Sequence, residues 1–256
     1  FIVLLLSSSF YGQTKIDYIE YDLDNGMHVI LHKDNSAPVV TTAVMYHVGA
    51  KDENPERTGF AHFFEHLLFE GTENIPRGEW FTIVTSNGGS NNANTTSDRT
   101  YYYEVFPSNN LEVGLWMESE RLMHPIINQI GVDTQNEVVK EEKRSRIDNA
   151  PYGGIMYATA TNKYLFDKHP YKMSVIGEME HLSSATFEDF EAFNKKFEIL
   201  NLYIIRHPLE LFVSCYKSLN FFKYYDFSFF LKGYRNYYLD AYFRNRALIF
   251  FSKHTN

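Results

Sequence analysis

From Ile16 the chain alternates apolar and polar positions through "IDYIEYDLDNGMHVILHKD". This pattern predicts two strands around a tight turn at Asp24, Asn25 and Gly26, where Asn-Gly suits the positive φ of a hairpin. A third strand, "APVVTTAVMYHVGA", follows with Pro38 near its start. His28 and His32 read as ordinary strand residues. The period then changes. "GFAHFFEHLLFEG", residues 59–71, is a helix apolar on most of its surface, interrupted only by His62, Glu65, His66 and Glu70. A second helix is predicted near "RGEWFTIVTSNGG", ended by Gly88 and Gly89. "SNNANTTSDRTYYYEVFP" is extended, with Thr and Tyr at strand-like density. Two longer amphipathic helices, "NNLEVGLWMESERLMHP" and "GVDTQNEVVKEEKRSRIDN", are stopped by Pro125 and Pro151. The last begins at "SSATFEDFEAFNKKF", with Thr186 as its cap and Asp189 as the reciprocal capping partner. Strands first and helices interleaved afterwards indicate an α+β fold, an antiparallel sheet with helices packed on it.

Composition changes this picture in three places. The single cysteine, Cys215, excludes an internal disulfide and any site built from several thiolates, leaving His, Asp and Glu as candidate ligands. The net charge is −8, but residues 197–256 hold eight Lys/Arg against four Asp/Glu, so the remainder carries −12 and argues against a nucleic-acid groove. Residues 197–256 are also unusually aromatic, with ten Phe and eight Tyr and no sustained period. The domain organisation expected is therefore a partial signal peptide over 1–13, a domain over 14–197, and an unmatched aromatic-rich tail over 198–256. The opening "FIVLLLSSSFYGQTK" resembles the back half of a secretory signal, which implies an exported, periplasmic or extracellular protein. No stretch has the roughly 18 uninterrupted apolar residues of a membrane-spanning helix.

The chemistry is concentrated in "HFFEH". Four positions are just over one helical turn, so His62 and His66 lie about 40° apart and can share one metal ion. Glu65 projects beside the pair, where a base acting on water would sit. This is the inverted order of the HExxH arrangement. A catalytic zinc site takes three protein ligands and keeps one position open. Periodicity alone leaves Glu104, Glu118, Glu120, Glu137, Glu141 and Glu142 as candidates for the third.

Together with "NGGSNNANTTSDRTYYYEVFP", "TQNEVVKEEKR", "DNAPYG", "HPYKMSVIGEMEHLSSAT" and "FEDFEAFNKKF", the motif resembles the pitrilysin/insulinase family of zinc peptidases. The likeness runs from about Ile16 to Phe197 and is strongest to the first half of the smaller, processing-peptidase-like members. It implies the catalytic half of a two-domain clamshell, with one Zn2+ per chain. The family's third ligand follows the motif by some 75 residues. That spacing implies Glu142, with Glu141 as the fallback. Seven positions before Glu142, where the family often has a supporting carboxylate, stands Gln135, an amide still able to orient a ligand.

The resemblance further implies an endopeptidase with Glu65 as general base, and peptide substrates held in extended form along Asn92, Ala93, Asn94 and Thr95. It also implies a second homologous domain or subunit that closes over the first. Residues 198–256 match neither that domain nor the family's closing strand. Their bias toward residues of AT-rich codons suggests a stretch read out of frame. The alternative function is a non-catalytic or incomplete peptide-binding subunit that needs its partner for activity.

Overall fold

The computed structural model describes residues 16–23 and 27–200, together with the strands Ile204–Ile205, Phe243–Arg244 and Ala247–Lys253. Strands β1 (Tyr18–Asp22) and β2 (His28–His32) form the expected antiparallel pair, Tyr18 opposite His32; the turn residues 24–26 lie outside the described residues. β3 (Val39–Tyr46) follows, and then helices α1 (Phe60–Leu67) and α2 (Trp80–Ser86). The Asn-, Thr- and Tyr-rich stretch is a hairpin of β4 (Ser90–Thr95) and β5 (Thr100–Pro107), with Thr95 opposite Thr100.

Next come α3 (Leu111–Met123) and α4 (Gln129–Lys143), whose last turn widens into a π-helix over Arg144–Asp148. Three short helices not foreseen in the periodicity follow: α5 (Gly153–Met156), α6 (Thr159–Leu165) and α7 (Met179–Ser183). The capping box expected before α8 (Phe187–Leu200) is present: Asp189 N–H donates to the Thr186 hydroxyl, and Thr186 N–H donates back to the Asp189 carboxylate.

β6 (Ile204–Ile205) pairs with β7 (Phe243–Arg244), and β8 (Ala247–Lys253) joins the main sheet. The sheet order is β1-β2-β8-β3-β5-β4. β8 is antiparallel to β3 and parallel to β2. The sheet is therefore antiparallel apart from one contact, and the reason is geometric: β2 and β3 run in opposite directions, so any strand between them must be parallel to one. The expected signal peptide, residues 1–13, lies outside the described residues, as does most of the 198–256 tail.

Helices cover one face of the sheet. Along β3 and β5 alternate residues turn inward, so Thr42, Val44 and Tyr46 face the core beside Glu104, Tyr102 and Thr100. α1 is buried on nearly every side. Phe60, Phe63 and Phe64 contact Phe190 of α8, with ring centres 4.7, 4.3 and 6.2 Å away. The start of α1 is set by Gly59 at φ +94°. A Cβ there would meet the Ile176 carbonyl at 2.7 Å and the Gly177 Cα at 2.9 Å, so only glycine lets this loop close on the helix.

The N-terminal N–H groups of α1 are met by a residue that local pattern did not reveal. Glu53 accepts from Gly59 and Ala61, each at 2.7 Å. Burial pushes its carboxyl up to about 8, against the pull of the Ala61, Gly59 and Phe60 N–H groups. An unfolded glutamate titrates near 4.3. The native state thus retains this proton over an interval in which the unfolded state has lost it, and stability contributed by Glu53 falls as pH rises from about 4.5 to about 8. Wild type should therefore hold its largest advantage over Glu53→Gln near pH 5 and a smaller one at pH 8. Urea unfolding of both proteins at the two pH values checks this; an advantage independent of pH would contradict it.

Candidate metal centre

α1 and α4 together build the site. His62 and His66 lie one turn apart on α1, their rings 4.8 Å apart centre to centre. Glu142 stands on the last α-helical turn of α4, just before the π-helical segment. Its Oε2 lies 3.6 Å from His62 Nε2 and 3.2 Å from His66 Nε2. One ligand atom from each of the three residues falls within 4.8 Å of the others. The second Glu142 oxygen pairs with the Arg146 guanidinium, which the turn of π-helix brings alongside.

The protonation states suit a cation. Burial, helped by His66, lowers His62 to about 4, so its imidazole is neutral at pH 7. Burial alone would raise Glu142, but His66, His62 and Arg146 outweigh it and hold the carboxyl below the usual range. His62 Nδ1 is buried without a hydrogen-bond partner. Two imidazole nitrogens and a carboxylate oxygen converging beside an open cleft fit a zinc ion with one position left for water or substrate.

That cleft has a volume of about 530 Å³ and is bordered by the three residues, by Glu65 and by residues 91–95. Glu65 points into it beside the ligand pair. Its carboxylate accepts a 2.6 Å hydrogen bond from the Thr95 hydroxyl. Burial raises its pKa, and the Thr95 bond opposes that rise. β4 is one edge of the sheet among the described residues. All of residues 91–95 line the cleft, Asn91, Ala93 and Thr95 half-buried and Asn92 and Asn94 exposed. Ala93 N–H donates to its neighbour's side-chain oxygen, Asn92 Oδ1, at 2.9 Å.

The other carboxylates that periodicity left open are engaged elsewhere. Glu104 and Glu118 bind the buried Arg121, at 2.8 and 3.1 Å. Glu120 accepts from Thr72 and Asn74; Glu137 and Glu141 pair with Lys140 and Arg144 on exposed helix surface. Gln135 lies behind the site, its Oε1 3.2 Å from His66 Nδ1. The Thr95–Glu65 bond and the Arg146–Glu142 pair were not anticipated. Arg146 follows Glu142 by four positions, so its reach was present in the helical spacing; the Thr95 contact depends on how the sheet edge meets α1 and left no local signal.

Comparison with known proteins points the same way. The family model described as Insulinase (Peptidase family M16) matches residues 28–169. A zinc protease, PqqE, from Helicobacter pylori is 31% identical over 195 residues, spanning 75% of this chain and 44% of that protein. Human insulin-degrading enzyme is 26% identical over 204 residues, 79% of this chain and 20% of that enzyme. The crystal structure of a Helicobacter pylori protease superposes with a TM-score of 0.66 at 31% identity, covering 70% of this chain and 43% of that one. The first half of the periplasmic protease PqqL from Escherichia coli has the same fold, with a TM-score of 0.67 at 19% identity over 93% of this chain and 43% of that one. The chain thus spans less than half the length of these relatives.

Proposed function

The chain belongs to the insulinase (M16) family of peptidases, whose members here include named zinc proteases, and from that premise we propose that it is the catalytic half of a zinc-dependent endopeptidase. The observation that carries this reading is the convergence of His62 Nε2, His66 Nε2 and Glu142 Oε2, with Glu65 at the rim of the same cleft.

His62, His66 and Glu142 would hold the ion, which when bound supplies Lewis-acid polarisation of a carbonyl and a water of lowered pKa. Glu65 takes the proton of the attacking water and passes it to the leaving amine. Its burial raises its proton affinity toward that of a base that can both take and return a proton, and the Thr95 hydroxyl fixes its orientation. No covalent intermediate is required. The substrate lies extended along β4, where main-chain pairing selects flexible peptides over particular side chains. Asn92, Ala93, Asn94 and Thr95 provide that edge. The outward N–H of Ala93, satisfied by Asn92 rather than by β5, is a donor such a peptide can take over.

A second homologous domain or subunit belongs to this reading, supported by the partial span of the relatives and by the open cleft. Full turnover would depend on it, because closure excludes water and orients the peptide. The apolar opening run supports export. Among the described residues, no helix is long and apolar enough to cross a membrane.

Metal analysis of the purified full chain tests the core of the proposal. Wild type should hold close to one zinc ion per chain and Glu142→Ala far less, with unchanged circular dichroism. Equal zinc in both proteins, or none in wild type, would overturn it.

A further inference from the structure

Gln135 raises a difficulty that a carboxylate at the same place would not. An amide can present either its oxygen or its NH2 group to His66 Nδ1, and the two choices leave opposite forms of the ring. With the oxygen facing Nδ1, that nitrogen carries the proton and Nε2 is an open lone pair. With the NH2 group facing it, the proton moves to Nε2 and blocks the atom directed at Glu142. Something must choose.

We propose that Glu70 makes the choice, and so acts as a positioning residue for His66; the inference rests on the metal-site reading above. Glu70 lies three positions beyond the end of α1, largely buried, and one oxygen accepts from Gln135 Nε2. Its other oxygen pairs with Arg77 Nε. The Arg77 guanidinium also donates to the Thr134 hydroxyl at 2.8 Å, and that hydroxyl donates to the Ile130 carbonyl at 2.8 Å. The carboxylate is thereby held between α1 and α4 with its acceptors fixed in place.

A carboxylate paired with a guanidinium has only acceptors to offer. Gln135 must turn its NH2 group toward Glu70, which leaves its oxygen for His66 at 3.2 Å. His66 Nδ1 must then be the donor, and Nε2, 3.2 Å from Glu142, is the nitrogen that a metal ion would take. A charge separated from the imidazole by one residue sets its tautomer without touching it. The usual arrangement, in which a ligating histidine donates its other N–H directly to a carboxylate, is lengthened here by one amide.

Reversing the polarity of residue 70 tests this. A lysine ammonium has donors only, so in Glu70→Lys the amide oxygen turns toward it and the NH2 group toward His66. Nitrogen-15 imidazole spectra of the zinc-free full chain should show His66 Nδ1 protonated in wild type and unprotonated, with the proton on Nε2 beside Glu142, in the variant. Zinc affinity, measured by chelator competition, should fall about 10- to 100-fold. In Glu70→Lys with Gln135→Glu, the new carboxylate accepts from both the introduced ammonium and His66, so tautomer and affinity should return. A merely structural role for Glu70 predicts no such rescue. Should Glu70→Lys fail to fold, Glu70→Ala frees the amide to face either way and should give a mixture of both forms. The inference is overturned by a wild-type tautomer in Glu70→Lys or Glu70→Ala, or by a well-folded double variant that does not regain affinity. If wild type itself bound no zinc, the metal-site reading would fail while the tautomer measurement still reported on Glu70.

Discussion

Replacing Glu65 by Gln should leave zinc bound and lower hydrolysis of a flexible peptide by about 10²- to 10⁴-fold, the range associated with loss of a general base. The two effects separate because Glu65 stands beside the three converging atoms without being one of them. The substitution preserves shape, and an amide oxygen can still accept the Thr95 hydroxyl. What is lost is the ability to take up a proton from water and return it to the leaving amine. Metal content and cleavage of an unstructured fluorogenic peptide, compared between the wild-type chain and the variant, decide the matter. Activity within tenfold of wild type would remove Glu65 from the chemistry. Loss of zinc together with activity would make it a ligand or a structural support instead.

Arg121→Met should destabilise the fold by about 3–5 kcal/mol, a large share of the roughly 5–15 kcal/mol typical of a domain. The Arg121 side chain is fully buried, and so is that of Glu104. Its guanidinium reaches Glu104 on β5, Glu118 one turn earlier on α3, and the Leu68 carbonyl at the end of α1. It also lies over the rings of Trp80, Tyr102 and Phe69, at 4.1, 4.2 and 4.5 Å. Burial first, and then Glu118, hold Glu104 well above the usual carboxylate range even with the arginine present. Methionine fills the space and leaves two carboxyls and a backbone oxygen without their donor. Urea unfolding measures the loss, and adding Glu104→Gln should recover part of it. A cost below about 1 kcal/mol would show that the cluster is not holding α1, α3 and the sheet together.

Much of the site was legible because its determinants are local. His62, Glu65 and His66 declare themselves through helical spacing alone, and Gln135 and Glu142 share a second helix at whole-turn separation. Joining the two helices was another matter. Six carboxylates were open on periodicity, and the choice of Glu142 came from the family-like spacing; in the folded chain it is the one that meets both imidazoles. The polar core was illegible for the opposite reason. Nothing in "MESERLM" says that Arg121 is buried, since its partner Glu104 and its aromatic neighbours come from separate elements. Glu53 likewise caps a helix that begins several residues away, across an irregular loop. The helices α5 and α6 were missed because each begins at a non-glycine residue with positive φ, Tyr152 and Ala158, an unusual start that no propensity favours.

The position of β8 has a consequence for how the molecule is assembled. Val29 pairs with Ile249, and Ala43 with Phe250, so two strands made early are joined through one made much later. During synthesis the facing edges of β2 and β3 wait unpaired while the helices and the β4–β5 hairpin are already available to fold. Such long-range closure is slow, and open strand edges are what other chains add to. The part of the domain that carries the candidate metal centre can therefore form before its sheet is whole, and the interval between the two is when this chain is most exposed to aggregation.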